Sequence, residues 1–299
     1  MARYHGDDVL SPEAHIHIGT CAWSYDDWRA VFYPEHLPQA KWLEFYARHL
    51  AAVEVDSTFY HVPAPPAVAH WYEVTPPGFR FACKLPREIT HERKLRDSAD
   101  ALAAFLTALA PLGEKLACVL VQLPPFFTPL HDAAALRDFV RSLPSGVRFA
   151  IEFRHSGWHV PRFAHLLEEH RVGWVWSDAT ALEQQAEGAF AFQPDTADFA
   201  YVRLMGDLAK KYGEDGRQMH RYRELLWPRE PGLESWAVRI RQAAAEKTAV
   251  FVAASNHYEG FAPQTCQRLG ARLGAKIELP APGPAGTPSA DPDPQMELL

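Results

Sequence analysis

The sequence predicts an α/β protein, a (β/α)8 TIM barrel, and three observations carry that expectation. Eight short apolar segments recur along the 299 residues, separated mostly by stretches with helical spacing. Several of the eight, such as Ala117–Leu123, are apolar almost without interruption, as a parallel strand covered on both faces must be. No glycine-rich dinucleotide or phosphate loop follows any of them, which weighs against a doubly wound open sheet, the main competing fold.

In chain order, residues 1–14 read as a polar leader without an apolar signal core, and the barrel is expected over residues 15–279. His15–Gly19 is the first strand, and the loop after it is dense in aromatics. Trp42–Leu50 has helical spacing and leads into the second strand at Ala52. Pro63, Pro65 and Pro66 break the chain before a short helix, Ala67–Val74. Phe79–Lys84 is the third strand, Ala99–Leu109 an Ala/Leu-rich helix, and Ala117–Leu123 the fourth strand. A helix over Ala133–Leu143, a strand over Arg148–Phe153, a helix over Phe163–His170 and a sixth strand over Val172–Ser177 continue the alternation. The crossover from Asp178 to Ala197 has a poor helical pattern. Phe199–Leu204 is the seventh strand. A long polar stretch, Met205–Gly232, is expected to be a lid and carries Lys210, Lys211, Tyr212, Arg217 and Tyr222. Leu233–Ala245 is helical, Ala249–Ser255 is the eighth strand and Ala262–Leu273 the closing helix. Residues 280–299, rich in Pro, Gly and Ala, are expected to be disordered.

Composition narrows the function. A 47% apolar share supplies an ample core, and a net charge of −7 disfavours a general nucleic-acid binder while permitting a local basic pocket. Cys21, Cys83, Cys118 and Cys266 are far apart with no C-x-x-C pair, so reduced thiols and a cytoplasmic setting are expected. No stretch is long and apolar enough to span a membrane.

Strand alternation assigns faces. Val53 and Val55 face helices, which turns Glu54 and Asp56 toward the barrel axis. Likewise Glu152 and Arg154 point inward opposite Ile151 and Phe153, and Tyr201 and Arg203 opposite Val202 and Leu204. His17, Lys84 and Gln122 also face the axis. Three acids then meet three bases, either as a buried ion-pair network or as a site. Position favours a site, because Asp56, Lys84, Gln122, Arg154 and Arg203 lie near the carboxyl ends of their strands, where barrels of this class carry chemistry. The loops there add Trp23, Tyr25 and Trp28; Tyr60 and His61; His155 and Trp158; and Asn256, His257, Tyr258 and Glu259. Aromatic rings beside charges stack on flat or sugar-like ligands, although some must simply plug the barrel.

Several blocks resemble a known family. Gly19-Thr-Cys-Ala-Trp-Ser-Tyr-Asp-Asp-Trp28 is followed by Val53-Glu-Val-Asp-Ser-Thr-Phe-Tyr60, Phe81-Ala-Cys-Lys84 with Thr90-His91, and Val121-Gln-Leu-Pro-Pro-Phe126. Glu152-Phe-Arg-His-Ser-Gly-Trp158, Tyr201-Val-Arg-Leu-Met-Gly206 and Asn256-His-Tyr-Glu-Gly260 complete the set. Together they resemble the YecE-like family (Domain of Unknown Function 72), over about residues 15 to 275. The resemblance implies a TIM barrel and supplies no activity. It departs where the family usually has His and this chain has Met205, and where it usually has Asn and this chain has Ser255.

The leading expectation is a metal-independent hydrolase or lyase for a small anionic or sugar-like substrate. Lys84, Arg154 and Arg203 would hold the anion, with Gln122, Trp23, Tyr60, His155, Trp158, Asn256 and Tyr258 as further contacts. Glu54 or Glu152 would be the general base and His257 or His155 the acid, with Asp56 also in the catalytic group. Glu54, the deeper acid, would serve mainly as an ion-pair partner and Asp56 as the ligand contact, so Asp56→Asn would lower ligand binding. No cofactor is predicted. A divalent-metal isomerase or nuclease-like barrel using Glu54, Asp56, Glu152, Asp178 and His257 is one alternative, and a non-catalytic ligand- or nucleic-acid-binding barrel another.

Overall fold

Eight parallel strands close on themselves in sequence order: β1 (Ile16–Cys21), β2 (Ala52–Val55), β3 (Arg80–Lys84), β4 (Leu116–Gln122), β5 (Phe149–Glu152), β6 (Gly173–Ser177), β7 (Phe199–Leu204) and β8 (Ala249–Ala254). The ring shuts where β1 pairs with β8, from Ile16 against Val250 to Thr20 against Ala254. This is the (β/α)8 barrel that the alternation predicts. The structure is a computed structural model and describes residues 15–178, 192–207 and 221–280. The leader 1–14, most of the 178–197 crossover, the centre of the expected lid with Lys210, Lys211, Tyr212 and Arg217, and the tail from 281 lie outside the described residues. Among the described residues, no helix is long and apolar enough to cross a membrane.

The outer layer comprises α1 (Trp42–Tyr46), α2 (Pro65–Glu73), α3 (Ala99–Leu109), α4 (Pro129–Ser142), α5 (Pro161–Glu169), α6 (Glu230–Glu246), α7 (Asn256–Glu259) and α8 (Ala262–Leu273). Four of these begin two to four residues before the expected start: α2, α4 and α5 each open on a proline, and α6 has Pro231 as its second residue. The first turn has no intrahelical acceptor for its N–H groups, so a residue without one loses nothing there, and proline starts the helix it would break further in.

Two hydrophobic layers confirm the strand faces. Val53, Val55, Ile151, Phe153, Val202 and Leu204 pack outward with the helices. A smaller inner cluster holds Cys21, Ala82, Ala150, Tyr201, Phe251 and Ala253. Small residues sit beside the inward acids: Glu54 is in register with Cys21 on one side and Ala82 on the other. Those short side chains leave space at the axis for long charged ones.

The β1–β2 seam shows how tightly this space is set. Gly19 approaches β2 so closely that a Cβ would stand 1.7 Å from the Ala52 carbonyl oxygen. Beside it the Tyr46 hydroxyl donates to Ala52 O at 2.8 Å and accepts from Thr20 N–H at 2.9 Å. Tyr46 is fully buried, so removing its hydroxyl leaves a buried donor and acceptor without partners. Tyr46→Phe should therefore lower stability by about 1–3 kcal/mol, read as a lower urea midpoint at unchanged slope. An unchanged midpoint would mean the strands pair directly without it.

Candidate functional site

At the axis, the expected charges form one connected array. Arg203, on β7, donates from Nε to Glu54 Oε2 at 2.8 Å and from Nη2 to Glu54 Oε1 at 2.6 Å. Its remaining terminal nitrogen, Nη1, bonds Glu152 Oε2, and the Tyr201 hydroxyl donates to Glu54 Oε2. Arg154, just beyond β5, reaches Glu152 Oε2 from Nη2 at 3.1 Å. Glu54, Glu152 and Arg203 are each at most 2% exposed, so no solvent shares this load. Burial works to raise the carboxyls of Glu54 and Glu152. The arginines outweigh it, Arg203 on Glu54 and Arg154 with Arg203 on Glu152, and both are held below the ordinary carboxylate range. Arg203 in turn is held charged by its two carboxylates against its own burial. Two carboxylates and two guanidiniums thus neutralise one another.

Above this array, Asp56 and Lys84 make a looser pair at the mouth. β2 ends at Val55, and Asp56 opens a 3-10 turn, Asp56–Phe59, rather than extending the strand as alternation suggested. The turn is fixed to β3 by the Thr58 hydroxyl, which lies 2.7 Å from the carbonyls of both Val55 and Lys84. Lys84 Nζ stands 3.6 Å from Asp56 Oδ1, beyond hydrogen-bond reach, and that oxygen accepts no hydrogen bond. A third of the Asp56 side chain reaches solvent (33%), against 14% of Lys84. Burial, then the neighbouring Glu54 carboxylate, push the Asp56 carboxyl above the ordinary range, with Lys84 and Arg203 opposing. Glu54 and Asp56 are therefore driven apart, one held ionised and the other inclined to keep a proton, the pattern that separates a base from an acid in paired-carboxylate sites.

The remaining expected residues divide by position. Gln122 ends β4 in register with Glu152, and its amide donates to Leu123 O at 3.0 Å. Tyr60 is 43% exposed beside Phe59 at the mouth. His257 places Nδ1 3.1 Å from the Tyr222 hydroxyl. Trp23 packs edge-on against Trp71, toward the helices. His155 accepts from Gly157 N–H at 3.1 Å and caps a short 3-10 turn. Trp158 is a correction: it is fully buried, stacked between Phe127 and Phe153, and its only donor bonds Phe127 O at 2.8 Å. Tyr258 is another: it is 1% exposed, with the Arg229 guanidinium over its ring. Asn256 is buried too, and its Oδ1 accepts from Ala262 N–H at 3.0 Å to join α7 to α8. All three are buried, and their contacts run to neighbouring loop and helix residues, with the Asn256 Nδ2 amide left without a hydrogen bond.

Asp178 has a comparable structural task. Its Oδ1 accepts from Met205 N–H at 2.6 Å and Gly206 N–H at 3.1 Å, while burial, offset by these bonds and by Arg229, leaves its carboxyl at about 6. Gly206 has φ +68, and a Cβ there would meet His257 O at 2.4 Å, so only glycine fits beneath the β8 loop. The acids named as metal candidates are thus divided between tasks. Among the described residues, no three His, Cys, Asp or Glu side chains gather as a ligand set. Inside the barrel, a cavity of about 10 Å³ lined by Glu54, Arg80, Tyr201 and Phe251 has room for one water.

Sequence reasoning passed over three rings at that mouth: Phe59, His91 and Phe126. His91 lies on a π-helical turn, Glu88–Glu92, its ring edge 5.0 Å from Phe59 and 6.2 Å from Phe126 between centroids. The blocks Thr90-His91 and Pro124-Pro125-Phe126 were visible, but loop residues carry no alternation from which to assign a direction.

The comparisons with known proteins agree with this architecture. The family described as "Protein of unknown function DUF72" matches residues 17–289. The Escherichia coli protein named UPF0759 protein YecE is 36% identical over 140 residues, 47% of this chain and 48% of that protein, so the match spans about half of that relative's length. UPF0759 protein YunF of Bacillus subtilis is 26% identical over 267 residues, 85% of this chain and 93% of its own. Among solved structures, a DUF72 family protein from Thermotoga maritima superposes with a TM-score of 0.70 at 26% identity, covering 87% of this chain and 99% of that one. One from Enterococcus faecalis gives 0.70 at 22% identity over 91% of this chain and 100% of its own, and shares the fold. The profile match covers most of the chain, and the protein is a member of the DUF72 family.

Proposed function

We propose that the carboxyl end of the barrel is the active site of an acid–base enzyme, of hydrolase or lyase type, for a small anionic substrate. Lys84 and Arg154 attract the anion, and Asp56 gives or takes the proton. The observation that supports this reading is the contrast between the inward acids. Glu54 has both oxygens bonded to Arg203, and Glu152 has one oxygen bonded to Arg203 and Arg154 and the other, without a hydrogen bond, 3.0 Å from Arg154 Nη2. Asp56, by contrast, has a 3.6 Å approach from Lys84, a buried oxygen without a hydrogen bond and a side chain one third open to solvent (33%). A carboxyl raised above its ordinary range beside a cation at a barrel mouth can protonate a leaving group and then deprotonate water. The general-base role expected of Glu54 or Glu152 passes in this reading to Asp56, because both buried acids are held ionised against guanidiniums and are shielded from solvent.

The test is an activity screen of the purified protein on phosphate monoesters, carboxylic esters and hydroxy-acid lyase substrates. Any activity found should fall about 10²- to 10⁴-fold in Asp56→Asn. An activity that survives that substitution unchanged would sink the assignment.

A further inference from the structure

The loops after β2, β3 and β4 bring four rings into one row. Tyr60 meets Phe59 edge-on at 5.1 Å, Phe59 meets His91 at 5.0 Å, and His91 meets Phe126 at 6.2 Å. Two ammonium groups lie against the row: Lys84 Nζ is 4.3 Å from the centre of the Phe59 ring and Lys94 Nζ 5.2 Å from that of Phe126. The two ends of the row, Tyr60 and Phe126, are 43% and 55% exposed, although large apolar rings gain by burial. Lys84 ties the row to the mouth, since the same ammonium faces Asp56. Lys94 has no carboxylate within 4 Å among the described residues.

The segment that holds these groups is not built for economy of backbone. It contains the π-helical turn at Glu88–Glu92 and then three non-glycine residues with left-handed φ: Lys94 at 49°, Leu95 at 66° and Asp97 at 45°. Such conformations persist where surrounding contacts over-determine them. Here Leu95 is buried, Arg93 pairs with Glu88 and donates to Asp97 O at 2.7 Å, and Arg96 bonds the buried Asp132 at 2.9 Å. The basic side chains of the segment are thereby neutralised locally except for Lys94, so the surface offers rings with isolated cations and not a basic stripe.

We propose that this row is a shelf for the uncharged body of the ligand, so that the substrate class is a small molecule with one anionic group and a planar or apolar body. The anionic group goes to Lys84 at the mouth, and the body lies along His91 and Phe126 toward Lys94. His91 serves as a ring in this arrangement: burial, then Lys84 and Arg87, hold its imidazole at about 4, neutral at pH 7. The inference rests on the anion-binding part of the proposed function and extends it to the rest of the molecule.

Calorimetric titration with phenyl phosphate, cyclohexyl phosphate and methyl phosphate at pH 7 tests it, with phenylacetate and acetate as a carboxylate pair. Phenyl phosphate should bind about tenfold more tightly than methyl phosphate, with cyclohexyl phosphate between them if ring stacking adds to apolar contact. Phe126→Ala should remove most of that advantage and leave methyl phosphate unchanged. Leu130→Ala, at the 85% exposed apolar side chain on α4, should change neither. Phe126 is itself exposed, so its loss leaves the fold intact, and Phe126→Leu keeps apolar contact while removing the ring. Equal binding of phenyl and methyl phosphate would overturn the shelf and leave the anion site standing. Loss of both in Phe126→Ala would also overturn it, and failure of every anion to bind the wild-type protein would remove both readings.

Discussion

Arg203→Met should destabilise the barrel by about 3–5 kcal/mol at pH 8, the usual cost of stranding buried charges when one partner of an ion pair is removed. The guanidinium is the common partner of Glu54 and Glu152, and its replacement leaves both carboxylates at the axis, where they are almost fully shielded from water. Methionine keeps the unbranched stem but not the guanidinium, so part of the loss is packing and the pH dependence isolates the electrostatic part. The sign of the pH dependence checks the cause. In the wild type both carboxyls are held below their unfolded values, so their contribution is present above about pH 4.3 and is lost as pH falls through the folded values. In Arg203→Met, burial on Glu54 is no longer opposed by its main partner, and its carboxyl should move above the unfolded value. The variant then regains stability on acidification. Urea unfolding at pH 8 and pH 5 should show the gap between the two proteins narrowing at pH 5, and adding Glu54→Gln should recover part of the loss at pH 8. A gap of equal size at both values, or one under about 1 kcal/mol, would show that the array is not held by Arg203.

The array was legible in the sequence because strands alternate. Once Val53, Val55, Val202 and Leu204 are assigned to helices, Glu54, Tyr201 and Arg203 have one direction left to face. Its connectivity was not legible: that one guanidinium would take Glu54 by two nitrogens and Glu152 by the third depends on barrel stagger, which no local pattern encodes. Loop residues were read less well for a related reason. Trp158 and Phe126 are both aromatics just past a strand, yet the first is the wall's packing and the second is open to solvent. Composition treats them alike, and only the turn that follows each strand separates them. Gly19 and Tyr46 belong to the same class, since a cross-strand approach of 1.7 Å to a hypothetical Cβ has no counterpart in residue spacing.

Asp56→Asn should tighten anion binding at pH 8 while abolishing proton transfer, which reverses the loss of binding expected from sequence. With Asp56 ionised, three carboxylates face Lys84, Arg154 and Arg203, and the mouth has no surplus charge. Neutralising Asp56 leaves one positive charge and frees Lys84 from its partner at 3.6 Å. Sulfate is the suitable probe, because it does not titrate between pH 5 and 8. Its affinity for the wild type should rise as pH falls, because the Asp56 carboxyl, raised by burial and Glu54, takes up its proton at a higher pH than a free aspartate. Other groups around Asp56 stay fixed: Cys21 and Tyr25, on β1 and its loop, are pushed up by burial and the acids, while Glu54 is held down and His91 lies near 4. Asp178, at about 6, does titrate in the window. The variant retains it, so any slope left in Asp56→Asn measures that share. At pH 8 the variant should bind sulfate about tenfold more tightly than the wild type, as expected for removing one like charge a few ångströms from the ligand. Weaker sulfate binding in Asp56→Asn would overturn this charge balance, because sulfate has no donor for a carboxylate and losing a like charge can only favour it.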